Sequence, residues 1–149
     1  MLARYVVRTD KSAAQLFIRL ALGGVMFPPG AQKVFGLFGG PGFHQTLSQF
    51  AGMGYGGGPV MILMFIELVG SVLLVFGLLT RLWALGIGTT ITICMFQFHV
   101  EHGFFMNWFG QQQGEGIEYH LLVIGIALAL TVRGGGRFSV DRVIDKRMG

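Results

Sequence analysis

The residues of this chain best suited to chemistry crowd into one short stretch, Gln97 to His120, which reads QFHVEHGFFMNWFGQQQGEGIEYH. It carries three of the four histidines and three of the four glutamates, with no lysine or arginine. His99 and His102 are three apart, the spacing of neighbours on one helical face, and Glu118 and His120 follow after a loop. Imidazole titrates near neutral pH, and a carboxylate beside it can pass the proton on. The fourth glutamate, Glu67, stands alone in an apolar run, PVMILMFIELVGSVLLVFGLLT, and Arg19 stands in another, AAQLFIRLALGGVMF. A charge in such surroundings costs about 2.5–3.5 kcal/mol even on insertion scales, so it is normally paired or kept neutral. Two readings of Glu67 follow. It is either half of an inert ion pair with Arg19 that ties two helices, or a proton-carrying acid on the floor of an outward-facing polar cavity.

The elements that would hold these groups are set by composition. The chain is 52% hydrophobic and 12% charged, against about 25% charged in a soluble domain. A chain of this size cannot hide so much apolar surface in its own core, so the remaining solvent is lipid. The expectation is a single integral membrane domain over 1–149: an all-α, four-helix transmembrane bundle with spans at about 13–32, 59–80, 82–100 and 116–132 and a tail at 133–149. Leu82 to Val100 is uncharged throughout and close to the roughly 20 residues that cross a bilayer core. The first span should stop at the helix-breaking Pro28, Pro29 and Gly30, and the tight LLTRLW turn should make the second and third an antiparallel hairpin.

Basic residues orient the bundle, because short cytoplasmic loops retain excess Lys and Arg. Arg4, Arg8, Lys11, Arg81, Arg133, Arg137, Arg142, Lys146 and Arg147 fall on one side, Lys33 on the other, and Arg19 within a span. Both termini are therefore expected in the cytoplasm, with the histidine-rich stretch facing outward. The basic pI of about 9.7 is a topology signal, and the absence of an aromatic-interleaved basic patch argues against nucleic acid. The N-terminal segment, basic and then apolar like a signal peptide, reads as an uncleaved first span. The multi-pass protein is expected in a bacterial or archaeal type of cytoplasmic (inner) membrane.

On an ideal helix Thr92, Met95, His99 and His102 form one stripe climbing outward. If it faces the bundle, Arg19, Glu67, His99, His102 and Glu118 converge, with His120 at the same height. Two histidines at i, i+3 with carboxylates could hold zinc or iron, but the E-x-x-H repeats of di-iron bundles are missing, and no metal site is assigned. Nor does the sequence show a haem, flavin or nucleotide site. Cys94, the single cysteine, excludes an internal disulfide and dithiol exchange and reads as a dispensable apolar filler. GMGYGGG at 52–58 reads as a flexible outer loop. Phe96, Phe98, Phe104, Phe105, Trp108, Phe109 and Tyr119 fit an interfacial belt or, alternatively, a slot for a flat lipophilic ring.

The stretches FIRLALGGVMF, GAQKVFGLFGGPGF, IELVGSVLLVFGLLTRL, FHVEHGFF, EYHLL and GRFSVD together resemble the DoxX family of small four-helix membrane proteins, from about Arg19 to Asp141. The resemblance implies an association with membrane redox chemistry, including a thiosulfate:quinone oxidoreductase that has a DoxD-type subunit. It places the family's polar positions on Arg19, Gln32, Lys33, Glu67, His99, His102, Glu118 and Tyr119. Relatives often read PHGAQK where this chain has PPGAQK, so Pro29 removes one possible donor. The expected function is a membrane subunit of a quinone-linked redox assembly, with Glu67, His99, His102 and Glu118 as reacting groups. Arg19, Gln32, Lys33 and Tyr119 would hold a quinone-like lipophile. Electrons would have to come from a partner subunit or bound molecule. A non-catalytic accessory subunit of a respiratory complex and a small-solute carrier, the latter only as a homo-oligomer, are the alternatives.

Overall fold

The structure is a computed structural model and describes residues 6–148; Arg4, one of the basic residues that orient the chain, lies outside them. The apolar stretches are helical, and the described residues contain no strand. In chain order the helices are α1 (Ala14–Phe35), α2 (Gly42–Gly52), α3 (Gly57–Phe76), α4 (Thr80–His102), α5 (Glu118–Arg133) and α6 (Val140–Met148). Two of them, α3 with 20 residues and α4 with 23, are long and apolar enough to cross a membrane.

Four helices close around one core. Leu22 and Met26 of α1, Leu74 of α3, Ala84, Ile87 and Ile91 of α4, and Val123, Ala127 and Leu130 of α5 pack together and are almost wholly buried. The outside is as greasy as the inside. Phe17, Ile62, Phe65, Phe76, Phe96, Leu122 and Val132 are all more than half exposed, a surface suited to hydrocarbon and far beyond the small apolar patches a soluble monomer shows.

Helix α1 does not stop at its proline pair. Pro28 and Pro29 lie inside it, and it runs on to Phe35, where Gly36 ends it in the left-handed region at φ 70°. Such interruptions are tolerated where neighbouring helices pack against the freed backbone, and here α3 supplies that support. A Cβ on Gly30 would sit 2.6 Å from the Leu68 nitrogen and 2.8 Å from the Glu67 carbonyl carbon, so α1 and α3 touch backbone to backbone at Glu67. The extra turns of α1 carry Lys33 past the expected end of the span and onto the bundle.

The end of the bundle where α3 turns into α4, the inner end of the expected topology, is closed by the chain's last segment. Gly77, at φ 70°, and Leu79, at φ 51°, turn α3 into α4, as the tight turn predicts. Asp141, 1% exposed, accepts from Leu79 N–H at 2.7 Å and Thr80 N–H at 2.8 Å, capping the start of α4. The Arg19 guanidinium donates to the carbonyls of Leu74 at 3.2 Å, Val75 at 2.8 Å and Phe138 at 2.7 Å. The GRFSVD stretch is thus a clasp over the α3–α4 turn.

At the outer end the sequence reading missed α2, which carries Thr46 against α1: its buried hydroxyl donates to Lys33 O at 3.2 Å and to Gly42 O at 2.7 Å. The loop 103–117 closes on itself through Ile117 N–H to Gly103 O and Glu118 N–H to Phe104 O.

Candidate functional site

Both long apolar helices carry a π-helical turn: Ile66–Gly70 in α3, which packs beside Trp83 and Gly86 of α4, and Met95–His99 in α4, further along toward its other end. A π-turn bonds residues five apart and is frequent at functional sites. In α3 it holds Glu67 inward, and the Ser71 hydroxyl donates to the Leu68 carbonyl at 2.8 Å. In α4 it brings Cys94 and His99, five apart, onto one face. An ideal helix would rotate them well apart, so the stripe of Thr92, Met95, His99 and His102 is broken at this point.

Glu67 is paired with Lys33, not Arg19. Lys33 Nζ stands 2.7 Å from Glu67 Oε2, with side chains 24% and 6% exposed. The Arg19 guanidinium is spent about 11 Å along α3 toward its inner end, on the carbonyls already described. The reason is geometric. Arginine's fork matches the unpaired carbonyls at the end of α3, whereas Lys33 sits on the stretch of α1 that the prolines fail to stop.

Four further groups lie in the outer half of α4 and at the start of α5. Cys94 and Tyr119 lie within range of the Glu67 charge, and Cys94 within range of Lys33 as well. The Tyr119 hydroxyl makes only a weak contact, 3.7 Å to Met26 Sδ. The His99 and His120 rings are 4.1 Å apart, Tyr119 and His120 5.5 Å apart. His99 Nδ1 lies 2.9 Å from the Glu115 carbonyl oxygen.

Of the residues singled out by sequence, Lys33 and Glu67 are in contact, Tyr119 lies within range of the Glu67 charge, and His99 meets His120. The others are engaged elsewhere. Gln32 donates to Phe38 O at 3.2 Å. Glu118 accepts from Met106 N–H at 3.1 Å, and the neighbouring Glu115 from Asn107 N–H at 2.7 Å, so both carboxylates tie down the outer loop. His102 lies against the loop at Gly114, where a Cβ would meet its ring at 2.4 Å. Sequence reasoning put His120 at the height of the cluster without a role in it, yet it is 5% exposed at the start of α5; it took Cys94 for filler. The one signal for Cys94 was its five-residue spacing to His99, which points inward only on a π-turn. Phe96, Phe104, Phe105, Trp108 and Phe109 are all more than half exposed. Phe98 instead packs on Phe50 and Tyr55 at 6.5 and 6.1 Å.

A groove runs between α4 and α5 along Ala84, Gly88, Thr92, Ile93, Ile124 and Ala127. Its upper end lies next to Cys94 in sequence and one turn from His120, though neither residue lines it.

The family model named DoxX matches residues 14–100, more than half of the chain. The chain belongs to the DoxX family. The match covers Lys33, Glu67, Cys94 and His99 and stops before α5, so this DoxX protein's cluster is completed by residues beyond the matched region. Members of the DoxX family are typically integral to membranes, in agreement with the two apolar helices α3 and α4. No curated protein and no solved structure matches this DoxX chain.

Proposed function

We propose that this DoxX protein is a four-span subunit of a quinone-linked redox assembly in the cytoplasmic membrane, with both termini inside. It binds a quinone-like lipophile beside Lys33 and Glu67. The observation that carries this reading is the Lys33–Glu67 ion pair at 2.7 Å, within range of Tyr119 and Cys94. Ion pairs inside membrane-crossing bundles mark substrate and proton paths.

The roles follow from the donors. A flat ring moving up the α4–α5 groove presents its carbonyls to the Lys33 ammonium and the Tyr119 hydroxyl, whose sulfur contact is cheaply given up. Reducing a quinone consumes two electrons and two protons. The electrons come from a partner redox subunit, and Glu67 and His99 pass protons in from the outer face. His102 and Glu118 act indirectly, by holding the loop above the site. A structural accessory role is supported by the apolar exterior alone, which serves lipid equally well.

The test is a thermal-stability titration of the detergent-purified protein with a soluble quinone analogue. A ligand at 100 times its Kd stabilises by about 2.7 kcal/mol. The shift is expected in the parent protein and lost in Lys33→Met and His99→Ala. No shift in the parent at saturating analogue would sink the reading.

A further inference from the structure

Cys94, His99 and His120 meet where the outer end of α4 runs against the start of α5. Each offers one ligand atom, and the three atoms lie within 4.8 Å of one another. A cation centred in a triangle of that edge is at most about 2.8 Å from each donor, against roughly 2.0–2.3 Å for bound nitrogen and sulfur. Side-chain shifts of about 0.5–0.8 Å close the shell.

The imidazoles are prepared for it. His99 Nδ1, bonded to the Glu115 carbonyl, carries the ring proton and leaves the Nε2 lone pair free; ligating histidines are usually held by such a bond. His120 is 5% exposed, yet its Nδ1 is buried without a hydrogen-bond partner. The Gly116 carbonyl, one turn back, lies near the ring without reaching hydrogen-bonding geometry. A buried polar atom left unpaired is costly, and a cation satisfies it.

Charge selects the ion. The site supplies one thiolate and two neutral imidazoles, and the opposite charges of Lys33 and Glu67, within range of Cys94, cancel. A monovalent soft cation leaves the cluster neutral, whereas a divalent one leaves a net positive charge inside an apolar bundle. Thiolate and imidazole together suit copper(I), which is satisfied by three donors; zinc takes a fourth. We propose that Cys94, His99 and His120 form a copper(I)-binding site. On binding, the Cys94 S–H bond breaks, its proton leaves to solvent, and a sulfur–copper bond forms with no change of oxidation state. The site does not depend on the quinone reading.

The full-length protein in detergent is titrated anaerobically against the copper(I)–bicinchoninate complex, whose colour fades as copper transfers. One copper per chain is expected, with retention weakened about tenfold or more in Cys94→Ser and in His120→Gln. Retention should be unchanged in His44→Ala, an exposed imidazole on α2. X-ray absorption of the loaded parent protein, which needs no variant to fold, should show one sulfur and two nitrogen neighbours. No transfer from the chelator, equal retention by Cys94→Ser, or a copper shell without sulfur overturns the proposal. In a parallel titration with zinc, tighter Cys94-dependent binding of zinc than of copper overturns the choice of ion. Quinone is absent from every arm, so these results and the stability titration fail or succeed separately.

Discussion

Glu67 and its partner show how far depth alone misleads at the scale of single residues. Position along the spans favours Arg19, yet Lys33 makes the pair and Arg19 caps carbonyls. Removing one member of a buried pair leaves an uncompensated charge and typically costs 3–5 kcal/mol. Lys33 is 24% exposed, so Glu67→Gln should cost about 3 kcal/mol or somewhat less. Adding Lys33→Met should recover most of that in thermal unfolding in detergent; recovery by Arg19→Met instead would reassign the pair. A second residue-scale prediction concerns Asp10, outside the bundle, whose carboxyl lies 2.9 Å from Arg133. The hydrogen bond from Arg133, helped by backbone N–H groups at Lys11 and Ser12, holds it below its ordinary value of 3.8. A depressed acid stabilises the fold fully above that ordinary value and loses its contribution as pH falls through the lower folded value. Melting curves between neutral pH and pH 3 should therefore converge for parent and Asp10→Asn as acid is added; a gap that widens in acid would contradict this.

At the scale of elements, the clasp at the inner end joins three separated pieces of chain. Arg19→Met strands the carbonyls of Leu74, Val75 and Phe138, and with charged hydrogen bonds worth about 1.5–3 kcal/mol each, a loss of at least about 3 kcal/mol is expected. Asp141→Ala removes the cap of α4, at about 1–2 kcal/mol. Because both residues pin the same segment, the double variant should lose less than the two singles combined. Limited proteolysis should cut near Phe138 faster in each. Parent-like melting of Arg19→Met would show that the clasp contributes nothing. The π-turns belong to this scale too. Each changes the phase of its helix by one residue, which is why Cys94 and His99 share a face in α4 while His102 turns to the loop.

For the whole molecule, the apolar exterior and the bias of basic residues predict one orientation. Reporter fusions at Gly57 and Gly114 should both read as periplasmic, since these positions lie at the outer ends of α3 and of the loop before α5. A cytoplasmic signal from either would overturn the arrangement.

Sequence by itself determined that this chain is helical, that it carries helices apolar enough to cross a membrane, and that Glu67 and His99 are groups needing partners. Composition and run length decide those matters, because hydrocarbon tolerates few charges and leaves no backbone bond unmade. Tertiary structure alone decided which partners they found. The continuation of α1 through Pro28 and Pro29 depends on backbone support from α3 at Gly30, and it is this continuation that delivers Lys33 to Glu67. The inward placement of Cys94 beside His99 depends on a π-turn in α4, and that of His120 on the pairing of α4 with α5. Periodicity assumes 3.6 residues per turn, so a local change of pitch, set by packing across helices, leaves no trace in the spacing of residues along one of them.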